Sequence, residues 1–230
     1  MPLSAILWDL DGTLVHFKID YKRARMETIH ILEKYGYPQG LLNQNYYVLG
    51  MLKEATDFFI REKIHTIEKI RQIRNEINKK VAKIEREASY HAESIDGIRK
   101  ILEFCVEKNI KSCIITLNTT QNAILSLESA NLIEFFPDKS LIIGRDVVEK
   151  IKPNPEHAIV LLKKLNVPAE EVCVIGDHPS DIELACSINA RSIGFISEKH
   201  PASEFKTSYL VELPKIEKKL IELLKEFIMN

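Results

Sequence analysis

Cysteine is scarce, and its pattern is uninformative. Cys105, Cys113, Cys173 and Cys186 show no C-x-x-C spacing and no histidine at zinc-finger distance. That excludes a disulfide framework and a small zinc module. Each cysteine lies in or beside an apolar run, so all four are expected to be small buried hydrophobes in a reducing compartment. Long hydrophobic runs are missing as well. Leu3–Leu10 is short, lacks a basic leader and ends in acids, so it reads as neither a signal peptide nor a membrane anchor. Charge of one sign is also absent. The formal net charge is -1, which argues against a general nucleic-acid binder and against an acidic solvating tail. There are no internal repeats and no low-complexity tracts. The expectation is a cytoplasmic protein with no membrane or nucleic-acid partner.

What is present is ordinary globular material. Over 230 residues, 45% are apolar and 28% charged, enough for one sizeable core or for a core with a smaller insert. Leu3–Leu10 reads as a buried strand that runs into a turn at Gly12. Ile110–Thr116, Ser140–Gly144 and Glu171–Gly176 look similar, and Ala190–Ile196 is a weaker fifth. Amphipathic stretches lie between them, such as Ile98, Ile101, Leu102 and Cys105, or Ile159, Leu161, Leu162 and Leu165. Strands alternating with helices predict βαβ units and a parallel sheet. Lys215–Met229 reads as a closing helix with Pro214 at its first turn.

From about Tyr21 to Ala92 this rhythm stops, and the pattern is helical throughout. Gly36-Tyr37-Pro38 is a turn between helices. Ile60–Ala88 reads as one uninterrupted periodic run. Its seam is Ile67, Ile70, Ile77, Val81, Ile84 and Ala88, with Arg74 in one apolar slot. Ser94-Ile95-Asp96-Gly97 reads as the return linker. The expected organisation is therefore an α/β, Rossmann-like parallel-sheet core at 1–18 and 95–230, with an inserted all-helical domain at 19–94.

The candidate chemistry falls at strand ends, where open parallel sheets bind ligands. Asp9 and Asp11 follow the first strand, two residues apart. In strand geometry both carboxylates would leave on one face. Two close carboxylates repel, so either a metal neutralises them or one holds a proton. Both arrangements suit phosphoryl transfer, with one Asp attacking and the other carrying protons. An acidic, capping turn is the alternative reading. Thr116 and Asn118 follow an apolar strand and can donate to phosphate oxygens, or simply cap the next helix. Lys152, in Lys152-Pro153-Asn154-Pro155, is a point charge suited to phosphate or carboxylate. Asp177, in Gly176-Asp177-His178-Pro179-Ser180-Asp181, would join Asp9 around a metal. Asp181 would orient Lys152 or a metal-bound water. All four groups point to the same sheet edge.

Together these motifs resemble the haloacid dehalogenase superfamily, closest to its phosphoglycolate-phosphatase-like and phosphomutase-like members. The resemblance covers Leu3 through the closing segment, and the helical insert occupies the place of the family's first-type cap. It implies that Asp9 is the nucleophile and a magnesium ligand. Asp11 would be the general acid/base, its backbone carbonyl also on the metal. Thr116, Asn118 and the Leu117 N–H would hold the phosphoryl group with Lys152. Asp177 would be a Mg2+ ligand, and Asp181 would support the site from behind. Three features depart from the family pattern: Leu117 separates Thr116 from Asn118, His178 follows Asp177, and His16-Phe17-Lys18 follows the first motif.

The function this implies is magnesium-dependent hydrolysis of a small phosphorylated metabolite. Asp11 argues against loss of a halide, which needs no acid there. A phosphomutase using the same residues is the alternative. A third reading is an interaction protein acting through the long insert helix, where nine Lys/Arg face five Asp/Glu between Arg61 and Glu87. The oligomeric expectation is a monomer or a homodimer.

Overall fold

The computed structural model describes residues 2–16, 18–42, 46–213 and 216–229. The chain divides into two units, Met1–Phe17 with Ser89–Asn230, and Lys18–Ala88.

The larger unit is built on a parallel sheet. Its strands are β1 (Ala5–Trp8), β4 (Lys111–Ile115), β5 (Ile142–Ile143), β6 (Val172–Gly176), β7 (Arg191–Ile196) and β8 (Leu210–Glu212). They lie in the order β5-β4-β1-β6-β7-β8, and every pairing is parallel. All of β1 is buried because both sheet faces are covered. Side chains alternate across the sheet. Ile6 and Trp8 join one core with Ile101, Leu102, Leu127 and Leu220, while Ala5 and Leu7 join another with Leu161, Leu165 and Leu184. The helices supplying these residues are α4 (Ile98–Glu107), α5 (Thr120–Ser129) and α8 (Ile216–Met229) for the first core, and α6 (Glu156–Leu165) and α7 (Pro179–Ser187) for the second. A short antiparallel pair, β2 (Val15–His16) and β3 (Glu93–Ser94), joins the chain where it leaves this unit to where it returns.

The five expected strands are all in the sheet. The sixth, β8, was not expected. It is three residues long with only Val211 buried, too short to show a period. The run at Ser140–Gly144 yields only two strand residues, because Asp138 caps a 3-10 turn over Lys139–Leu141. Ser94, expected in a linker, belongs to β3. Cys105, Cys113 and Cys173 are buried, but Cys186 is exposed on the last turn of α7, contrary to the expectation for all four. Pro214, Lys215 and Phe17 lie outside the described residues.

The smaller unit contains α1 (Tyr21–Lys34), α2 (Val48–Arg61) and α3 (Ile67–Ser89). The run from Ile60 to Ala88 is broken. α2 stops at Arg61, Lys63 takes a left-handed conformation, and the Thr66 hydroxyl accepts from the Lys69 N–H at 3.2 Å to restart the helix. The seam of α3 is also shifted. Ile70, Ile73, Ile77, Val81 and Ile84 are buried, while Ile67 is 68% exposed and Arg74 is exposed. Ile73 fills the slot assigned to Arg74, because a 3.6-residue period drifts against fixed steps of seven. These residues pack with Ile31, Leu32, Met51, Leu52 and Phe59 into the unit's own core.

Candidate active site

The carboxyl ends of β1, β4 and β6 bring the expected residues together. β1 ends at Trp8, yet the Asp9 N–H still donates to the Ile175 carbonyl at 2.8 Å, continuing the ladder one residue further. The chain then turns tightly over Leu10–Val15, with the Leu14 N–H donating to the Leu10 carbonyl at 2.9 Å and Gly12 at φ +92°. Asp9 and Asp11 are therefore separated by a turn and not by strand alternation. Gly12 is required twice over. Its positive φ suits glycine, and a Cβ there would lie 2.3 Å from Asp177 Oδ2.

Asp9 is buried, and each of its oxygens has a partner. Oδ1 accepts from Lys152 Nζ, and Oδ2 accepts from the Thr13 hydroxyl at 3.3 Å. Lys152 is buried as well. Its ammonium also donates to Asp181 Oδ1 at 2.6 Å and to the Ile115 carbonyl at 3.1 Å. Burial works to lower the Lys152 pKa, but Asp181 and Asp9 outweigh it, holding the ammonium above the ordinary lysine range. Asp181 reaches Lys152 from the first turn of α7, and its other oxygen accepts from the His178 N–H at 3.1 Å. Burial raises the Asp181 carboxyl to about 6 against the opposing pull of Lys152. Gly176 makes room for it, since a Cβ there would sit 2.1 Å from Asp181 Oδ2.

Asp177 completes the cluster. One carboxylate oxygen from each of Asp9, Asp177 and Asp181 lies within 4.8 Å of the others. Burial, then the charges of Asp9 and Asp181, push the Asp177 carboxyl up to about 8. One buried ammonium does not balance three carboxylates, and Asp177 carries the deficit. An all-oxygen set of this kind suits a hard divalent cation. The cluster could hold such an ion: Asp9 and Asp181 both share the Lys152 ammonium, and Asp177 stands beside them within reach of the same point.

β4 supplies the neighbouring edge. Thr116 is buried, and its Oγ1 accepts from the Asn118 N–H at 3.0 Å. Leu117 is partly exposed, and its carbonyl accepts from Arg145. Asn118 is turned toward protein groups. Its Oδ1 accepts from the Thr119 N–H at 2.9 Å and from Asn122 Nδ2 at 3.2 Å, while its Nδ2 points at Asp11 Oδ2, 3.5 Å away. Asn118 thus ties the β4 loop to Asp11. His178 caps α7, its Nδ1 accepting from the Ser180 N–H at 3.1 Å, and its ring meets His200 edge to face at 4.8 Å. Burial, His200 and Lys152 lower its pKa.

Two participants were not singled out from sequence. Thr13 stands in the D-x-D-G-T run, and its spacing from Asp9 was the available signal. His157 braces the Lys152 loop, and nothing in its local pattern marks it.

Fold and site together define a parallel α/β protein with an aspartate–lysine centre at the strand ends. The haloacid dehalogenase-like hydrolase profile matches residues 6–195, and the chain belongs to that family. It is 27% identical over 198 residues to a putative pyrophosphatase PpaX from Caldanaerobacter subterraneus, covering 84% of this chain and 81% of that one. It is 24% identical over 227 residues to a phosphorylated carbohydrates phosphatase from Thermotoga maritima, covering 97% and 99%. Among solved structures, CbbY from Rhodobacter sphaeroides in complex with phosphate superposes with a TM-score of 0.64 at 20% identity, over 94% and 96% of the two chains.

Proposed function

We propose that this enzyme is a magnesium-dependent phosphatase that hydrolyses a small phosphate monoester through an aspartyl-phosphate on Asp9. The observation that carries the reading is the buried Lys152 ammonium clamped between Asp9 and Asp181, with Asp177 alongside. Thr13 and Lys152 hold the Asp9 carboxylate in one orientation, as an attacking group requires. Mg2+ held by Asp9, Asp177 and the Asp11 carbonyl would supply charge neutralisation for the incoming phosphate. Thr116, the Leu117 N–H and Lys152 would bind the phosphoryl oxygens. Asp11, linked to Asn118, would protonate the leaving oxygen and then take a proton from the hydrolytic water. Asp181 keeps Lys152 in place and does not touch substrate. The helical unit, expected over 19–94 and bounded at Lys18–Ala88 in the structure, would serve as the substrate-selecting cap.

The names of the relatives, a pyrophosphatase and a carbohydrate phosphatase, support transfer of the phosphoryl group to water. The test is incubation with an aryl phosphate and magnesium. Turnover that chelation abolishes and magnesium restores supports the reading. Activity restored only by zinc, or seen only with a sugar phosphate and a bisphosphate activator, contradicts it.

A further inference from the structure

His157 lies in the first turn of α6 and is completely buried. Both ring nitrogens are engaged. Nδ1 accepts from the Lys152 N–H at 3.3 Å, and Nε2 lies 3.1 Å from the Ile143 carbonyl. A backbone N–H can only donate, so Nδ1 carries the lone pair and Nε2 the proton. One neutral tautomer satisfies both contacts. The imidazole therefore bridges the end of β5 to the backbone of Lys152, whose ammonium reaches Asp9 and Asp181. The rest of the loop is braced similarly: the Asn154 N–H donates to the Ile151 carbonyl at 3.0 Å, the Glu156 N–H to Asn154 Oδ1 at 3.0 Å, and the Glu149 N–H to Glu156 Oε1 at 3.1 Å. Those contacts shape the loop. Only His157 ties the Lys152 backbone to the sheet through a side chain among these braces.

We propose that His157 is a positioning residue for phosphoryl transfer, a neutral imidazole bracket that fixes the Lys152 backbone and so aims its ammonium at the Asp9 carboxylate. This rests on the phosphatase reading of the site. Burial, then the Lys152 charge, depress the His157 pKa to about 4, so the neutral form persists across the working range of such an enzyme. A small displacement of Lys152 matters because reacting groups act only in near-attack geometry. The ring touches no reacting group, so the effect must pass through Lys152.

Three variants separate the two contacts. His157→Phe keeps the volume and removes both. His157→Asn keeps an acceptor near the Nδ1 position. His157→Gln places an amide near Nε2 and leaves the Lys152 N–H without its acceptor. Aryl phosphate turnover is measured well below each variant's melting temperature, with Lys152→Met as the reference for losing the ammonium. Hydrogen exchange at the Lys152 amide is read in parallel. The Phe variant is expected to lose at least about tenfold in kcat and the Lys152 amide protection. Asn should recover more of both than Gln. Should the Phe variant not fold, the ranking of Asn over Gln decides alone. Wild-type kcat in folded Phe variant, or Gln matching or exceeding Asn, overturns the inference. Amide protection that follows this order in a protein without aryl phosphate turnover would sustain the bracket and refute the phosphatase reading instead.

Discussion

Replacing Lys152 with methionine tests the electrostatics of the site more severely than any other single change. The side chain keeps its unbranched stem, one atom shorter, and loses its charge. In the native protein the ammonium serves two buried carboxylates and the Ile115 carbonyl. At an effective dielectric of about 20, one charge pair at that separation is worth roughly 6 kcal/mol of attraction, most of it offset by the cost of burying the charges. Removing one partner leaves the desolvation cost and no attraction, so the expected loss is about 3–5 kcal/mol in metal-free buffer. Trp8, the only tryptophan, is fully buried in β1, so its fluorescence in urea reports the unfolding of the sheet unit. The orphaned Asp181 carboxyl, already raised to about 6 by burial, would rise further. A raised acid pKa in the fold means that the folded variant takes up protons, so its deficit should shrink as pH falls through that range. Adding Asp181→Asn removes one orphaned charge and should recover at least about 1 kcal/mol, the scale of coupling between residues in contact. Turnover should fall by about 10²–10³ in kcat, the usual effect of losing one preorganised electrostatic group. A destabilisation below about 1 kcal/mol, typical of an exposed pair, would refute the claim that Lys152 is a buried counter-ion.

Other outcomes follow from particular contacts. Gly12→Ala forces a Cβ against Asp177 at a positive φ, so it should cost about 1–3 kcal/mol and raise the magnesium concentration needed for half-maximal turnover about tenfold; an unchanged magnesium titration would contradict this. In the helical unit, Ile73→Ala should lower stability by about 2–5 kcal/mol and Arg74→Ala by less than about 0.5 kcal/mol, read by thermal melts; equal effects would restore Arg74 to the seam. The His157 pKa is lowered from 6.5 to about 4. A depressed histidine pKa favours the fold above the unfolded value and loses that contribution as pH falls. Wild type should therefore lose up to about 3 kcal/mol of its advantage over His157→Gln between pH ~6.5 and ~4. Parallel stability profiles would show that His157 is not held neutral.

The strand ends were readable because parallel strands buried on both faces are apolar runs that stop abruptly at polar residues. Asp9, Thr116 and Asp177 each follow such a stop, and Lys152 stands in a proline-marked loop. Local pattern carries no information about what those residues face. That Asn118 would turn to Asp11 depends on a partner 107 residues away, whereas its contacts with the start of α5 and the His178 cap on Ser180 are local, and sequence offered capping only as one reading among others. Helix periodicity located the insert but misplaced its seam, because one residue of drift exchanges Ile73 for Arg74. β8 was invisible for a different reason: a short edge strand with one buried residue has no period to detect.

The most direct test of the central claim is a rapid acid quench of a single turnover with aryl phosphate and magnesium, followed by mass spectrometry of the peptide that contains Asp9. A phosphoryl group on Asp9, absent in the catalytically silent Asp9→Asn variant, is the predicted result. Full turnover by Asp9→Asn, or a phosphoryl group on any other residue, would contradict the account.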